Sequence, residues 1–170
     1  FFKLSKYQEQ LITLIESGEF EVIPVNRKTE ILNVIKDGLT DLSVSRPKKK
    51  LPWGIPVPGD TTQVMYVWFE ALMNYITLLN YPDGEDFKKY WPTNLQIVGK
   101  DNLRFHAAIY PAMLLSAGLP VLKRLLVHGH LSVGGKKMSK TIGNVVSTED
   151  IVQKYGTDAF RYYFLRHVPS

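Results

Sequence analysis

"LQIVGKDNLRFHAAIYPAMLLSAG", residues 95–118, decides how the chain is read. A short apolar run from Leu95 to Val98 ends in Gly99. Lys100 and Asp101 follow, and then comes an apolar stretch of helical length that closes at Gly118. Strand, glycine turn, helix is the unit of a parallel sheet with covering helices, and such a run suits a strand buried on both faces. Pro111 falls inside the helical stretch, lacks an N–H and should kink or break the helix there.

Working outward, "RLLVHGHLSV" at 124–133 reads as the next strand. Upstream, "QVMYVWFEALMNYITLL" at 63–79 opens as a strand at Val64–Trp68 and turns helical from about Phe69. Two amphipathic helices come before it. One runs through Tyr7, Leu11, Ile12 and Ile15 to a stop at Gly18; the other carries Ile31, Leu32, Val34 and Ile35 and closes at Gly38. Between them and the strand, residues 41–63 hold "SRPKKKLPWGIPVPGD", rich in Pro and Gly, which reads as an extended, turn-rich loop with Lys48, Lys49 and Lys50 in solvent. At the other end, "STED" at 147–150 resembles a capping box and opens a helix towards Leu165, broken near Gly156 and re-capped by Thr157. The fold class expected is α/β, a partial Rossmann-type parallel sheet with covering helices. In such sheets ligands sit at the carboxyl ends of the strands, where Trp68 to Tyr75, Gly99 to His106 and the loop after His130 are all expected to fall.

Composition narrows the function. Of 170 residues, 45% are hydrophobic, enough for a core, and no run of apolar residues is long enough to span a bilayer as a helix. The absence of cysteine excludes disulfides and thiolate metal sites. A net charge of +5 permits contact with phosphates without demanding it, so a soluble enzyme domain fits better than a dedicated nucleic-acid binder. The opening "FFKLSKYQEQ" has neither an initiator Met nor signal-peptide architecture and reads as a piece of a longer chain.

The chemistry-bearing stretch is "VHGHLSVGGKKMSKTIGNVVSTED", residues 127–150. It fails as a P-loop, because Gly134 is followed by Gly135 rather than Lys. What stands is K-M-S-K-T at 137–141 after two glycines. Lysines on a glycine-hinged loop can close over a triphosphate and stabilise charge that grows in the transition state; an exposed basic turn is the plainer alternative. His128 and His130, two apart on an expected strand, read as structural, and two histidines alone make no metal site.

Lys137-Met138-Ser139-Lys140-Thr141 resembles the KMSKS signature of class I aminoacyl-tRNA synthetases, with Thr in place of the final Ser. "SRPKKKLPWGIPVPGD", "YVWFEALMNYI" and "VGKDNLRFHAAIYPAML" are similar to segments of the methionyl-tRNA synthetase family, in the same order, and the likeness spans nearly all of the chain. Two departures stand out. Glu70 replaces the usual Asp, and Asn102 stands where an apolar residue is common. The family's other signature, H-I-G-H, is not among these residues. The resemblance therefore implies the second half of a catalytic domain. Residues 1–63 would be the helical exit of a connective insertion and the Pro/Gly-rich loop, 64–141 the Rossmann-type part with the KMSKT loop, and 142–170 the start of a helical stem-contact region.

It implies ATP-dependent activation of methionine to methionyl-adenylate and transfer to tRNA(Met), in the cytoplasm and away from membranes, with Mg²⁺ sharing the phosphate charge and no zinc site in this segment. Lys137 and Lys140 would be catalytic. Gly99, Asp101, Leu131, Lys137, Met138, Ser139 and Lys140 would contact ATP. Trp68, Ala71, Leu72, Tyr75, Asn102 and His106 would hold methionine, a flexible thioether well suited to aromatic faces and a nearby hydrogen-bond donor. The missing half of the domain would be a necessary partner. A class I synthetase for another aliphatic amino acid and a synthetase-derived binding module without catalysis are the alternatives. Arg161, Tyr162, Tyr163 and Arg166 read first as an amphipathic helix with snorkelling arginines, and second as a tRNA backbone contact.

Overall fold

Three parallel strands carry the fold in the computed structural model, which describes residues 1–167. They are β1 (Glu21–Ile23), β5 (Gln96–Gly99) and β6 (Arg124–His128), with β6 in the centre. Val22 and Gln96 both pair with Leu125, and Gly99 pairs with His128. That register sets the carboxyl ends of β5 and β6 side by side. The Lys100–Asp101 pair therefore lies next to the Gly129–His130 turn.

One face of this sheet holds the core. On α1 (Gln8–Ser17), Leu11 and Ile15 lie one helical turn apart, as do Ile31 and Ile35 on α2 (Val25–Lys36), and all four are buried. They pack with Val22, Leu125, Val127 and Val98 and with the helix after β5. Burying each such side chain stabilises the fold by about 1.5–3 kcal/mol relative to exposure. β5 is not covered on both faces as its composition suggested. Ile97 is 63% exposed while Val98 is buried and belongs to the core cluster with Val22, Leu125 and Val127. The short β1 went unread because three residues between two helices carry no periodicity of their own.

The helix after β5 begins with a tight turn, Lys100–Asn102, winds as a π-helix over Phe105–Ile109 and continues as α6 (Tyr110–Ser116). Pro111 explains the change of pitch. It has no N–H to give to the carbonyl one α-turn earlier, and a π-turn just before it is one way a helix absorbs that loss. His106 is buried on the π segment.

Residues 45–65 correct two expectations. The Pro/Gly-rich stretch is not a free loop but a three-stranded antiparallel sheet of β2 (Ser45–Pro47), β3 (Pro56–Val57) and β4 (Asp60–Met65). The strand expected over Val64–Trp68 is therefore β4, ends at Met65, and belongs to this small sheet rather than to the parallel one. Local pattern could not assign the partner, since alternation looks alike in both kinds of sheet. Gly54 is needed here: a Cβ on it would stand 2.7 Å from the side chain of buried Val64. The chain then turns into α3 (Val67–Ala71) and α4 (Asn74–Thr77), with α5 (Glu85–Tyr90) following.

After β6 the chain forms a hairpin, β7 (Ser132–Val133) and β8 (Lys136–Lys137). Gly134 and Gly135 make its two-residue turn with φ of +58° and +75°, backbone that glycine adopts without penalty. The glycines thus form the turn of this hairpin. α7 (Thr148–Tyr155) starts at Ser147, whose hydroxyl accepts from the Asp150 N–H at 3.3 Å, and Gly156 separates it from α8 (Thr157–His167). The last three residues of the 142–170 region lie outside the described residues.

Candidate functional site

Asp101 gathers the sheet edge. Its Oδ2 accepts from the Lys137 ammonium at 2.7 Å and its Oδ1 lies 2.9 Å from His130 Nε2. These two contacts, the lysine's first, pull its carboxyl down to about 2, so it is ionised throughout the neutral range. His130 thus joins the site rather than serving only as a strand residue. Gly99 has an ordinary φ of −72°, and a Cβ there would meet the His128 ring at 3.6 Å, a normal contact. Nothing in the backbone demands glycine at that position.

A second cluster stands beside it. Arg46 of the SRP segment stacks 3.8 Å from the Tyr66 ring and donates to the carbonyls of Ser43 and Ser45. That contact, with the pairing of Ser45 to Met65, fixes where β4 delivers the chain into α3. Trp68 then stacks on Phe105 with ring centres 4.6 Å apart. The Tyr75 hydroxyl lies 3.1 Å from His106 Nε2, and its ring packs on fully buried Tyr110 at 5.5 Å. Of the six residues expected here, Tyr75, His106 and Asn102 meet in one hydrogen-bonded chain, and Trp68 stacks on Phe105, the residue before His106. Ala71 is half-buried on α3, and Leu72, 1% exposed, belongs to the core. Asn102 takes part through its backbone carbonyl, 3.1 Å from His106 Nδ1, not through its side-chain amide.

The tautomer of His106 follows. A carbonyl can only accept, so Nδ1 carries the proton, and Nε2 is left to accept from the Tyr75 hydroxyl. Burial lowers the His106 pKa, opposed by the hydrogen bond to Asn102, which keeps the ring neutral at pH 7. The unfolded chain then takes up this proton first, as pH falls below the ordinary value of 6.5. Stability present above that pH should decline as acid protonates the unfolded ring. Melting curves from pH 7.5 to 5.5 should show a steeper loss for the parent than for His106→Gln. Parallel losses would mean that His106 does not titrate between the two states.

The lysine loop is tied down by Leu131, expected at this site, and by Asn144, which sequence reasoning passed over. The Met138 N–H donates to the Leu131 carbonyl at 2.8 Å, and the Ser139 N–H donates to Asn144 Oδ1 at 2.9 Å. Lys137 and Lys140 are both exposed. Phe105, Tyr110, His130 and Asn144 are the residues missed. Phe105 and Tyr110 lay in a stretch that reads as plain buried helix, and Asn144 in one that reads as loop. The one signal available was the aromatic residue directly before His106.

Among the described residues no group of three or more His, Asp or Glu is placed to hold a metal. Asp101, the carboxylate at this edge, already has one oxygen on the Lys137 ammonium and the other against His130 Nε2, so it does not fit as a Mg²⁺ ligand. Behind the loop, Leu131, Met138, Val146, Ile151, Tyr155 and Phe160 line an apolar cavity of about 460 Å³ closed by α7 and α8. Tyr162 and Tyr163 are exposed by 65% and 58%.

The whole chain, residues 1–170, matches the family described as tRNA synthetases class I (M). It is 51% identical over 170 residues to the methionine–tRNA ligase of Brucella suis, covering 99% of this chain and 33% of that protein. It is 45% identical over 168 residues to the probable mitochondrial methionine–tRNA ligase of Schizosaccharomyces pombe, covering 97% of this chain and 31% of that one. Among solved structures it resembles Mycobacterium tuberculosis methionyl-tRNA synthetase in complex with methionyl-adenylate, at 42% identity and a TM-score of 0.87, covering 99% of this chain and 33% of the other. The chain spans about a third of the length of the relatives it matches.

Proposed function

Because the chain belongs to the methionyl family of class I tRNA synthetases, we propose that it supplies the ATP-facing and methionine-facing half of the active site of a methionine–tRNA ligase. The observation that carries this reading is a single juxtaposition. Lys137 is held on Asp101 at the carboxyl edge of the parallel sheet, and the Trp68–Phe105 and Tyr75–His106 pairs stand on the adjoining helices.

The methionine carboxylate attacks the α-phosphorus of ATP. A carboxylate oxygen–phosphorus bond forms, the bond to the bridging oxygen breaks, and pyrophosphate leaves. A ribose hydroxyl at the tRNA 3′ end then attacks the activated carbonyl and AMP departs. No protein side chain becomes covalently attached, so catalysis is positioning plus electrostatics. Lys137 and Lys140 offset the negative charge that builds on the departing phosphates. Asp101 accepts from the ribose hydroxyls at the end of β5, with Gly99 giving the nucleotide room to approach. Leu131, Met138 and Ser139 border the nucleotide through the loop backbone. The thioether lies between Trp68 and Tyr75, with Ala71 and Leu72 behind and the neutral His106 near sulfur. Any Mg²⁺ would be held by the nucleotide phosphates and would share their charge with Lys137 and Lys140.

In this reading residues 1–63 lead out of a connective insertion, 64–141 form the Rossmann-type half, and 142–170 begin a stem-contact region for tRNA(Met). The cytoplasm is the compartment where such chemistry serves protein synthesis, and among the described residues no helix is long and apolar enough to cross a membrane.

The test is amino-acid-dependent ATP–pyrophosphate exchange. A protein of the relatives' full length should exchange with methionine and far less with leucine or isoleucine. A preference for another aliphatic amino acid, or no exchange with any, would replace this reading with one of the alternatives. The 170 residues alone should be silent, because the family's H-x-G-H signature is absent from them. The outer edges of β1 and β5 and exposed Ile97 also favour self-association over a working site. Measurable exchange by the 170-residue chain would overturn that expectation.

A further inference from the structure

We propose that Asn144 is a positioning residue for the lysine loop, its side-chain amide holding the Lys137–Ser139 turn in the shape that presents Lys137 and Lys140 to phosphate. This rests on reading the loop as the nucleotide contact.

The amide is used in both directions. Its Oδ1 accepts from the Ser139 N–H at 2.9 Å, and its Nδ2 donates to the Lys137 carbonyl at 3.2 Å. The amide supplies a donor and an acceptor from separate atoms; a carboxylate would turn lone pairs towards the Lys137 carbonyl. Beyond the β7–β8 pairing and the Met138 N–H on the Leu131 carbonyl, the segment has little else to shape it. Lys136, Lys137, Lys140, Thr141, Ile142 and Gly143 are exposed, whereas Asn144 is half-buried. The remaining ties close the far side of the turn. The Ile142 N–H reaches Ser139 Oγ at 3.3 Å, and the Gly143 N–H is shared by the carbonyls of Ser139 and Lys140 at 3.1 Å.

Beyond its pairing with Ser132 in the hairpin, Lys137 is held by two side-chain contacts, its carbonyl by Asn144 and its ammonium by Asp101. The ammonium position is defined only while the backbone beneath it is. Nucleotide entry at Asp101 would release the ammonium end, and the Asn144 end would then keep the lysine over the site rather than in solvent. Displacing a charge-stabilising group by about 1 Å can cost on the order of a hundredfold in rate.

The experiment uses the full-length protein with Asn144→Ala and Asn144→Asp. Asn144→Ala should lower the maximal rate of methionine-dependent ATP–pyrophosphate exchange about 10- to 100-fold, with the methionine dissociation constant and melting temperature unchanged. Its Ser139 amide should lose protection against hydrogen exchange. Asn144→Asp keeps the acceptor, so it should retain much of that protection. Faster exchange at Ser139 with a normal rate would overturn the proposal. So would a rate loss matched by a fall in methionine affinity or melting temperature, which marks a merely structural role. A parent protein without methionine-dependent activity overturns the functional reading instead, and Ser139 protection then decides alone whether Asn144 frames the loop.

Discussion

Lys140→Ala in the full-length protein is expected to slow methionyl-adenylate formation about a hundredfold or more, with methionine affinity near its original value. Lys140 is exposed on the turn that Asn144 and Gly143 close, so its removal disturbs no core contact. Its proposed work is on charge that grows as pyrophosphate leaves. An interaction made mainly in the transition state lowers the rate constant rather than ground-state binding. Losing one preorganised donor of this kind typically costs about 3 kcal/mol, which is roughly a hundredfold or more in rate. Lys137→Ala is a less clean test, since Lys137 also pairs with Asp101 and its loss leaves that carboxylate without its lysine. Pre-steady-state adenylation with saturating ATP, together with a methionine titration, separates the outcomes. Near-normal turnover with weakened methionine binding would make the lysine loop an exposed basic turn and remove the phosphate role.

Trp68→Ala should weaken methionine binding far more than ATP binding. Trp68 is half-buried and stacked on Phe105, the residue before His106. Truncating such an aromatic residue commonly costs about 3–5 kcal/mol, divided between stability and any affinity it supplies. Trp68 is partly buried and packs against the edge of the core, whereas Leu72, at 1% exposure, lies within it and would lose stability first. Dissociation constants for methionine and for ATP, with a melting curve on the same preparation, settle the division. A folded variant that loses methionine and keeps ATP supports the pocket. One that melts early yet binds both normally in the cold makes Trp68 a core residue.

Much of this was legible in the sequence because its signals are local. Leu11 with Ile15, and Ile31 with Ile35, repeat at helical spacing, and both pairs are the buried ones. The apolar run before Gly99 found β5, and "STED" and Gly156 found the ends of α7. Sheet membership was not legible. The partners of β4 come from Pro/Gly-rich sequence that looks like loop, and β1 is three residues long. Site residues divided in the same way. Trp68, Tyr75, Asp101, His106 and Lys137 stood out through their motifs. Asp101 and Lys137 are 36 positions apart, and their contact depends on β5 pairing with β6. Asn144 acts through main-chain atoms of its neighbours, and composition carries no trace of that.

The most direct test is a crystal structure of the full-length protein with a non-hydrolysable methionyl-adenylate analogue. The account expects the thioether between Trp68 and Tyr75 with His106 near sulfur, the ribose hydroxyls on Asp101, and the lysine loop over the phosphate side. An analogue bound elsewhere, or bound here with its adenine against Trp68 and its side chain at Asp101, would contradict it.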